Sequence, residues 1–278
     1  MKLNIRHFFT FSFLFELFLF IFTLYLTLGV AVGIIMKLPT VPLSSTATSP
    51  LFFIIAILIT TIILILIIKL VKSAWLIRGI FILAVLNGFW LFGTAYFDWP
   101  EILYYLTGVG FLYFIYRNIL FHNIIIIMAI SAISAAFGLN LMPSSVIIIS
   151  LFLALYDFWA VYKTKHMVEM FRGLAERQVY LSLIIPQNFK GLFKKVKEAS
   201  PQTEFMFLGT GDLAVPAIFI ASCLKFGLRT SLLVALGAII GFIFLYILFV
   251  TQKERAPMPG LPPIILGCLL GYLISFLI

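Results

Sequence analysis

The chain has 278 residues, 63% of them hydrophobic and 10% charged, with a mean hydropathy of +1.19 and a formal net charge of +9. An ordinary soluble domain is excluded, because such domains carry roughly 45–50% apolar and about 25% charged residues. Nucleic acid is excluded as the partner of the positive charge, because the aromatic residues lie inside apolar runs and not on a basic face; the composition is that of an integral, multi-pass membrane protein surrounded by lipid.

Lys2 and Arg6 precede an apolar run that reaches about Met36. A signal-peptide core spans only roughly 7–15 residues, so this run reads as a retained first span. Windows of about 20 apolar residues mark spanning helices. They fall near residues 11–36, 51–68, 79–97, 102–117, 122–139, 143–162, 205–224, 230–250 and 257–277. The fourth and fifth are separated only around Arg117, Asn118, His122 and Asn123. Counted as two, they put sixteen of the nineteen Lys and Arg residues on one side and leave Lys37, Lys225 and Arg229 on the other. By the positive-inside rule, the expected fold class is an all-α polytopic membrane protein with nine transmembrane helices, N-terminus cytoplasmic and C-terminus outside. Residues 1–278 then form a single membrane domain: helices 1–6 in 1–162, a cytoplasmic loop at 163–204, and helices 7–9 in 205–278.

The loop between helices 6 and 7 carries a short strand candidate, Gln178 to Ile185 (QVYLSLII), rich in β-branched and bulky residues and ended by Pro186. The following NFKGLFKKVKEA reads as a short amphipathic helix suited to an anionic membrane surface, or as a solvated linker. Cys223 and Cys268 both sit in apolar segments, as packing residues rather than a disulfide or metal pair. No residue cluster calls for a metal or a cofactor.

Three carboxylates lie within apolar runs: Glu16, Asp157 and Asp212. A charge near the bilayer centre costs about 2.5–3.5 kcal/mol on insertion scales, so such residues are usually functional. Glu16 is a turn or two inside the first span with no motif around it, and reads as snorkelling or bonding to a neighbouring helix. Asp157 lies six residues before the cytoplasmic end of span 6 and Asp212 eight residues into span 7; at 1.5 Å per residue both are about 9–12 Å below the same surface. Two carboxylates facing each other cannot easily both ionise. One can then take a proton from an attacking water while the other donates to a carbonyl oxygen, which is general acid–base peptide hydrolysis. Gly209 and Gly211 strip side chains from beside Asp212, so that another backbone can come close. At the start of span 9, Pro257, Pro259, Pro262 and Pro263 crowd seven positions and disfavour regular helix. Such backbone is tolerated at membrane depth only where it is buried in protein or lines an aqueous cavity.

At these residues the sequence resembles the presenilin and signal peptide peptidase family of intramembrane aspartyl proteases, most closely its compact archaeal members. Tyr156-Asp157 matches the family's Tyr-Asp motif, Gly209-Thr210-Gly211-Asp212 its Gly-x-Gly-Asp motif, and Pro259-Gly260-Leu261 its Pro-Ala-Leu motif. Gly260 stands where the family usually has alanine, which suggests a looser loop. The resemblance implies that Asp157 and Asp212 are catalytic and that Tyr156, Gly209, Gly211, Pro259, Gly260 and Leu261 shape the site. It also implies transmembrane substrate peptides that unwind before cleavage and a prokaryotic, archaeal, cell membrane; no obligatory protein partner is implied, and the short loop and compact length suggest a protein that acts alone. Two alternatives stay open on the residues alone. A proton- or cation-coupled transporter also wants intramembrane carboxylates and broken helices, and a prepilin-type peptidase also carries Gly-x-Gly-Asp.

Overall fold

The computed structural model describes residues 10–37, 50–70, 74–116, 118–164, 173–174, 179–199, 205–252 and 258–277. Among them are nine α-helices: α1 (Phe11–Lys37), α2 (Pro50–Leu70), α3 (Ala74–Tyr96), α4 (Glu101–Ile115), α5 (Ile119–Asn140), α6 (Pro143–Trp159), α7 (Thr210–Cys223), α8 (Leu228–Thr251) and α9 (Leu261–Ile274). Five of the described helices, α1, α3, α5, α6 with its continuation, and α8, are long and apolar enough to cross a membrane. The expected break between spans 4 and 5 is present: Asn118 caps α5, its side chain accepting from the Phe121 N–H.

α5 is the central helix, packed against α1, α3 and α7. Its buried serines bind neighbouring backbones, Ser131 Oγ donating to the Thr23 carbonyl at 3.1 Å. α8 and α9 approach more closely than side chains would permit. A Cβ on Gly237 would stand 2.1 Å from the Gly267 carbonyl oxygen, and one on Gly241 would stand 2.5 Å from the Pro263 oxygen. Without a hydrophobic drive between helices in lipid, such backbone contact is what van der Waals packing can exploit.

The strand candidate forms, displaced: β1 is Ser182–Pro186, and Gln178 lies outside the described residues. Its partner was not expected. The first five residues of the seventh apolar run are a strand, β2 (Phe205–Gly209), antiparallel to β1 with Ile184 opposite Phe207. The helix begins only at Thr210. The expected amphipathic helix is also absent: two short 3₁₀ turns, Phe189–Phe193 and Val196–Glu198, stand in its place. Asn188 accepts from the Gly191 N–H and closes the first turn, while Pro186 packs where a Gly191 side chain would be.

The sheet and loop have their own small core of Ile119, Tyr180, Ile184, Ala199 and Phe205. Tyr180 donates its hydroxyl to the Ala199 carbonyl, and burial pushes its pKa above the ordinary value, which keeps it a donor. β1 is fully buried, and its outer edge is occupied by side chains. The Asn123 amide donates to the Ile184 carbonyl at 2.8 Å and accepts from the Ile184 N–H at 2.9 Å, as a neighbouring strand would. His122 Nε2 lies 3.2 Å from the Ser182 carbonyl, and Ser12 donates to that of Pro186 at 3.1 Å. The start of α1, the α4–α5 junction and the 6–7 loop thereby meet at one end of the bundle.

Two of the basic residues assigned to the opposite face are held by partners. Lys37 pairs with Asp98 at 2.8 Å, and Lys225 Nζ donates to the Leu141 carbonyl at 3.0 Å.

Candidate active site

The site lies where two helices too short to cross the membrane alone begin. α7 and α9 have 14 residues each, about 21 Å at 1.5 Å per residue. The hydrocarbon core is about 30 Å thick. β2 makes up the deficit before α7 with about 16 Å of extended chain. Non-helical backbone over Met258–Gly260 does so before α9. The crowd of prolines resolves into two roles. Pro262 and Pro263 occupy the first turn of α9, where a missing N–H costs nothing because those donors lack helical acceptors anyway. Pro259 belongs to the non-helical approach, and Pro257 lies outside the described residues.

Asp157 sits in the last α-helical turn of α6, 5% exposed, with Tyr156 half-buried beside it. Beyond Trp159 the helix widens into a π-helical turn, Ala160–Thr164; π-bulges recur at functional sites. Asp157 Oδ2 accepts the N–H of Leu261 at 3.2 Å. That N–H opens α9 and would otherwise be an orphan donor, so a carboxylate is the natural acceptor there.

Asp212 is in the first turn of α7 and is partly exposed. Pro216, four residues on, carries no N–H to bond the Asp212 carbonyl, so the helix is weakened at this residue. Gly209 lies against the Asp212 side chain, where a Cβ would stand 3.2 Å from Oδ2; Gly211 is exposed, with no atom within 4 Å of its Cβ position. Gly260 is buried, and its Cβ position lies 2.9 Å from Asp212 Cγ and Oδ1. The space left by the missing methyl, from which a looser loop was expected, is filled by the Asp212 carboxylate. Asp157 and Asp212 thus converge on consecutive residues, Leu261 and Gly260, and Pro259 and Leu261 are buried beside Asp157.

Glu16 does not snorkel. It is 8% exposed and within electrostatic range of Asp212. On the same face of α1, Phe13 stacks on Tyr246 at 3.9 Å and Phe20 on Phe242 at 4.4 Å, turning Glu16 into the bundle. A spacing of three and four residues from two aromatics was the available signal. Among the described residues, no cluster of His, Cys, Asp and Glu could hold a metal ion.

A family model described as signal-peptide peptidase, presenilin aspartyl protease matches residues 11–278. Two solved structures of a presenilin family intramembrane aspartate protease, in space groups C222 and P2, share the fold. The first has a TM-score of 0.65 and 23% identity, covering 94% of this chain and 95% of that one. The second has a TM-score of 0.65 and 23% identity, covering 93% and 96%. No curated protein matches. The chain belongs to the signal-peptide peptidase and presenilin aspartyl protease family and is an intramembrane aspartyl protease.

Proposed function

We propose that Asp157 and Asp212 are the catalytic pair and that the protein hydrolyses peptide bonds within transmembrane helices of membrane-protein substrates. The observation that carries this reading is the convergence of both carboxylates on Gly260 and Leu261. One carboxylate takes a proton from water as it attacks the scissile carbonyl; the other, protonated, donates to the carbonyl oxygen. The proton passes to the leaving amine and no covalent intermediate forms. The two titrate as a pair, so the acid role belongs to neither alone. Asp212's partial exposure and the open space at Gly211 give water and substrate a route.

A helix hides its carbonyls in internal hydrogen bonds, so the substrate must unwind. With β1's outer edge occupied by Asn123, His122 and Ser12, the unwound segment is expected to run alongside β2, whose last residue, Gly209, is three before Asp212. Hydrogen exchange should then show substrate-dependent protection within Phe205–Gly209; none there would remove the strand-pairing step.

The basic-residue bias supports a cytoplasmic N-terminus and substrates whose N-termini lie outside. Reconstitution with a single-span peptide tests the activity. We expect two fragments cut inside the apolar segment, with cleavage blocked by a hydroxyl-bearing transition-state analogue; an intact peptide across several sequences would contradict it.

A further inference from the structure

The 3₁₀ turns after β1 build a surface that peptide hydrolysis does not use. Phe189 and Phe193, 62% and 57% exposed, stack edge-on at 5.7 Å. Lys190, Lys194, Lys195 and Lys197 are exposed around them, with Glu198 the nearest acidic residue in sequence. Among the described residues, none of these four ammonium groups is ion-paired. Two exposed aromatic rings flanked by four cations on nine residues are consistent with an interface.

Beside this turn lies a cleft of about 300 Å³, lined by Tyr116, Asn118, Leu120, Phe121, Ile124 and Phe193. Its place is fixed by backbone. Ile119 N–H donates to the Lys194 carbonyl at 3.0 Å, and Asn118 bridges to Lys195. The lysine-bearing turn is thus pinned over the mouth between α4 and α5. Phe189 also meets Phe11 at the start of α1, at 6.3 Å, so the rings sit level with three helix ends. That is the depth at which aromatic and basic side chains meet lipid headgroups.

We propose that this cleft and its lysines form a binding site for an anionic phospholipid of the surrounding bilayer. The phosphate sits among Lys190, Lys194 and Lys195, and an acyl chain lies against Phe193, Phe121 and Ile124. An apolar cleft with exposed lysines on the adjoining turn selects an amphiphile: a free phosphate would leave the aromatic wall uncovered, and an acidic peptide would carry no chain to fill it. The site is independent of the catalytic reading: its turn is held by α5 and β1 and carries neither aspartate.

The test is native mass spectrometry of the full-length protein titrated with dioleoyl phosphatidylglycerol or dioleoyl phosphatidylcholine. A juxtamembrane lysine contributes about fivefold in affinity for anionic lipid, so Lys194→Gln with Lys195→Gln should weaken phosphatidylglycerol binding about twenty-five-fold. Phosphatidylcholine binding should not change. Phe193→Ala should weaken both lipids. Equal binding of the two lipids, or a preference for phosphatidylglycerol that survives the double substitution, would overturn the proposal. So would full competition by inorganic phosphate or by a soluble acidic peptide. The substituted side chains are exposed, and an unchanged thermal midpoint verifies that the variants are folded.

Discussion

Gly260 offers a sharp test because the family residue at its position is expected to harm this protein. An alanine methyl there would stand 2.9 Å from Asp212 Cγ and Oδ1 and 3.0 Å from Oδ2, against 3.4–4 Å for ordinary contact. The methyl is held on buried backbone, so the carboxylate must yield by about 0.5 Å, and the room to do so lies toward Gly209, which has no side chain. A misplacement of about 1 Å at a reacting group costs on the order of 100-fold, so half that displacement should cost about tenfold in kcat. KM and the thermal midpoint should stay near those of the parent, because no substrate contact and no core packing is lost. The assay is cleavage of a fluorogenic single-span peptide in proteoliposomes, with kcat and KM separated. Gly260→Ala cleaving at the parental rate or faster would refute the close contact between Gly260 and Asp212.

Other substitutions separate the site from its supports. Gly211→Ala adds a methyl that meets no other packed element within 4 Å, so stability should be unchanged while KM rises, as measured in the same assay; an unchanged KM would mean that substrate does not use that space. Asn123→Leu strips the partners from the N–H and carbonyl of Ile184, each costing about 1–3 kcal/mol when buried, so thermal unfolding in detergent should show a loss of about 2–6 kcal/mol. Gly237→Ala drives a methyl into the Gly267 carbonyl and should cost about 1–3 kcal/mol by overpacking. It should also slow cleavage, because α9 carries Leu261 to Asp157.

Much of the fold was legible because lipid imposes long apolar runs; the helical count that set the depth of Asp212 does not hold, since Phe205–Gly209 is extended, yet both carboxylates meet at Gly260 and Leu261. Short apolar segments do not declare their backbone, and long-range contacts do not show in local sequence. Phe205–Gly209, FMFLG, continues the apolar run of α7 and alternates no polar residue, so periodicity could not separate a buried strand from a helix. The side-chain clamp on β1 was equally hidden, since Asn123 and His122 in α5 look like any polar break between spans until Ile184 is brought to them. Pro262 and Pro263 were over-read as broken backbone, when helix starts accept them. Gly260 was under-read, because only the folded chain shows that Asp212 takes the place of its side chain.

The most direct measurement compares the purified protein with Asp157→Ala and Asp212→Ala on one reconstituted transmembrane peptide, after matching folded fractions by thermal unfolding. If the two carboxylates are the general acid–base pair, each substitution alone abolishes cleavage, and the double variant is no worse than either single one. Cleavage that survives in either single variant would take that aspartate out of the chemistry.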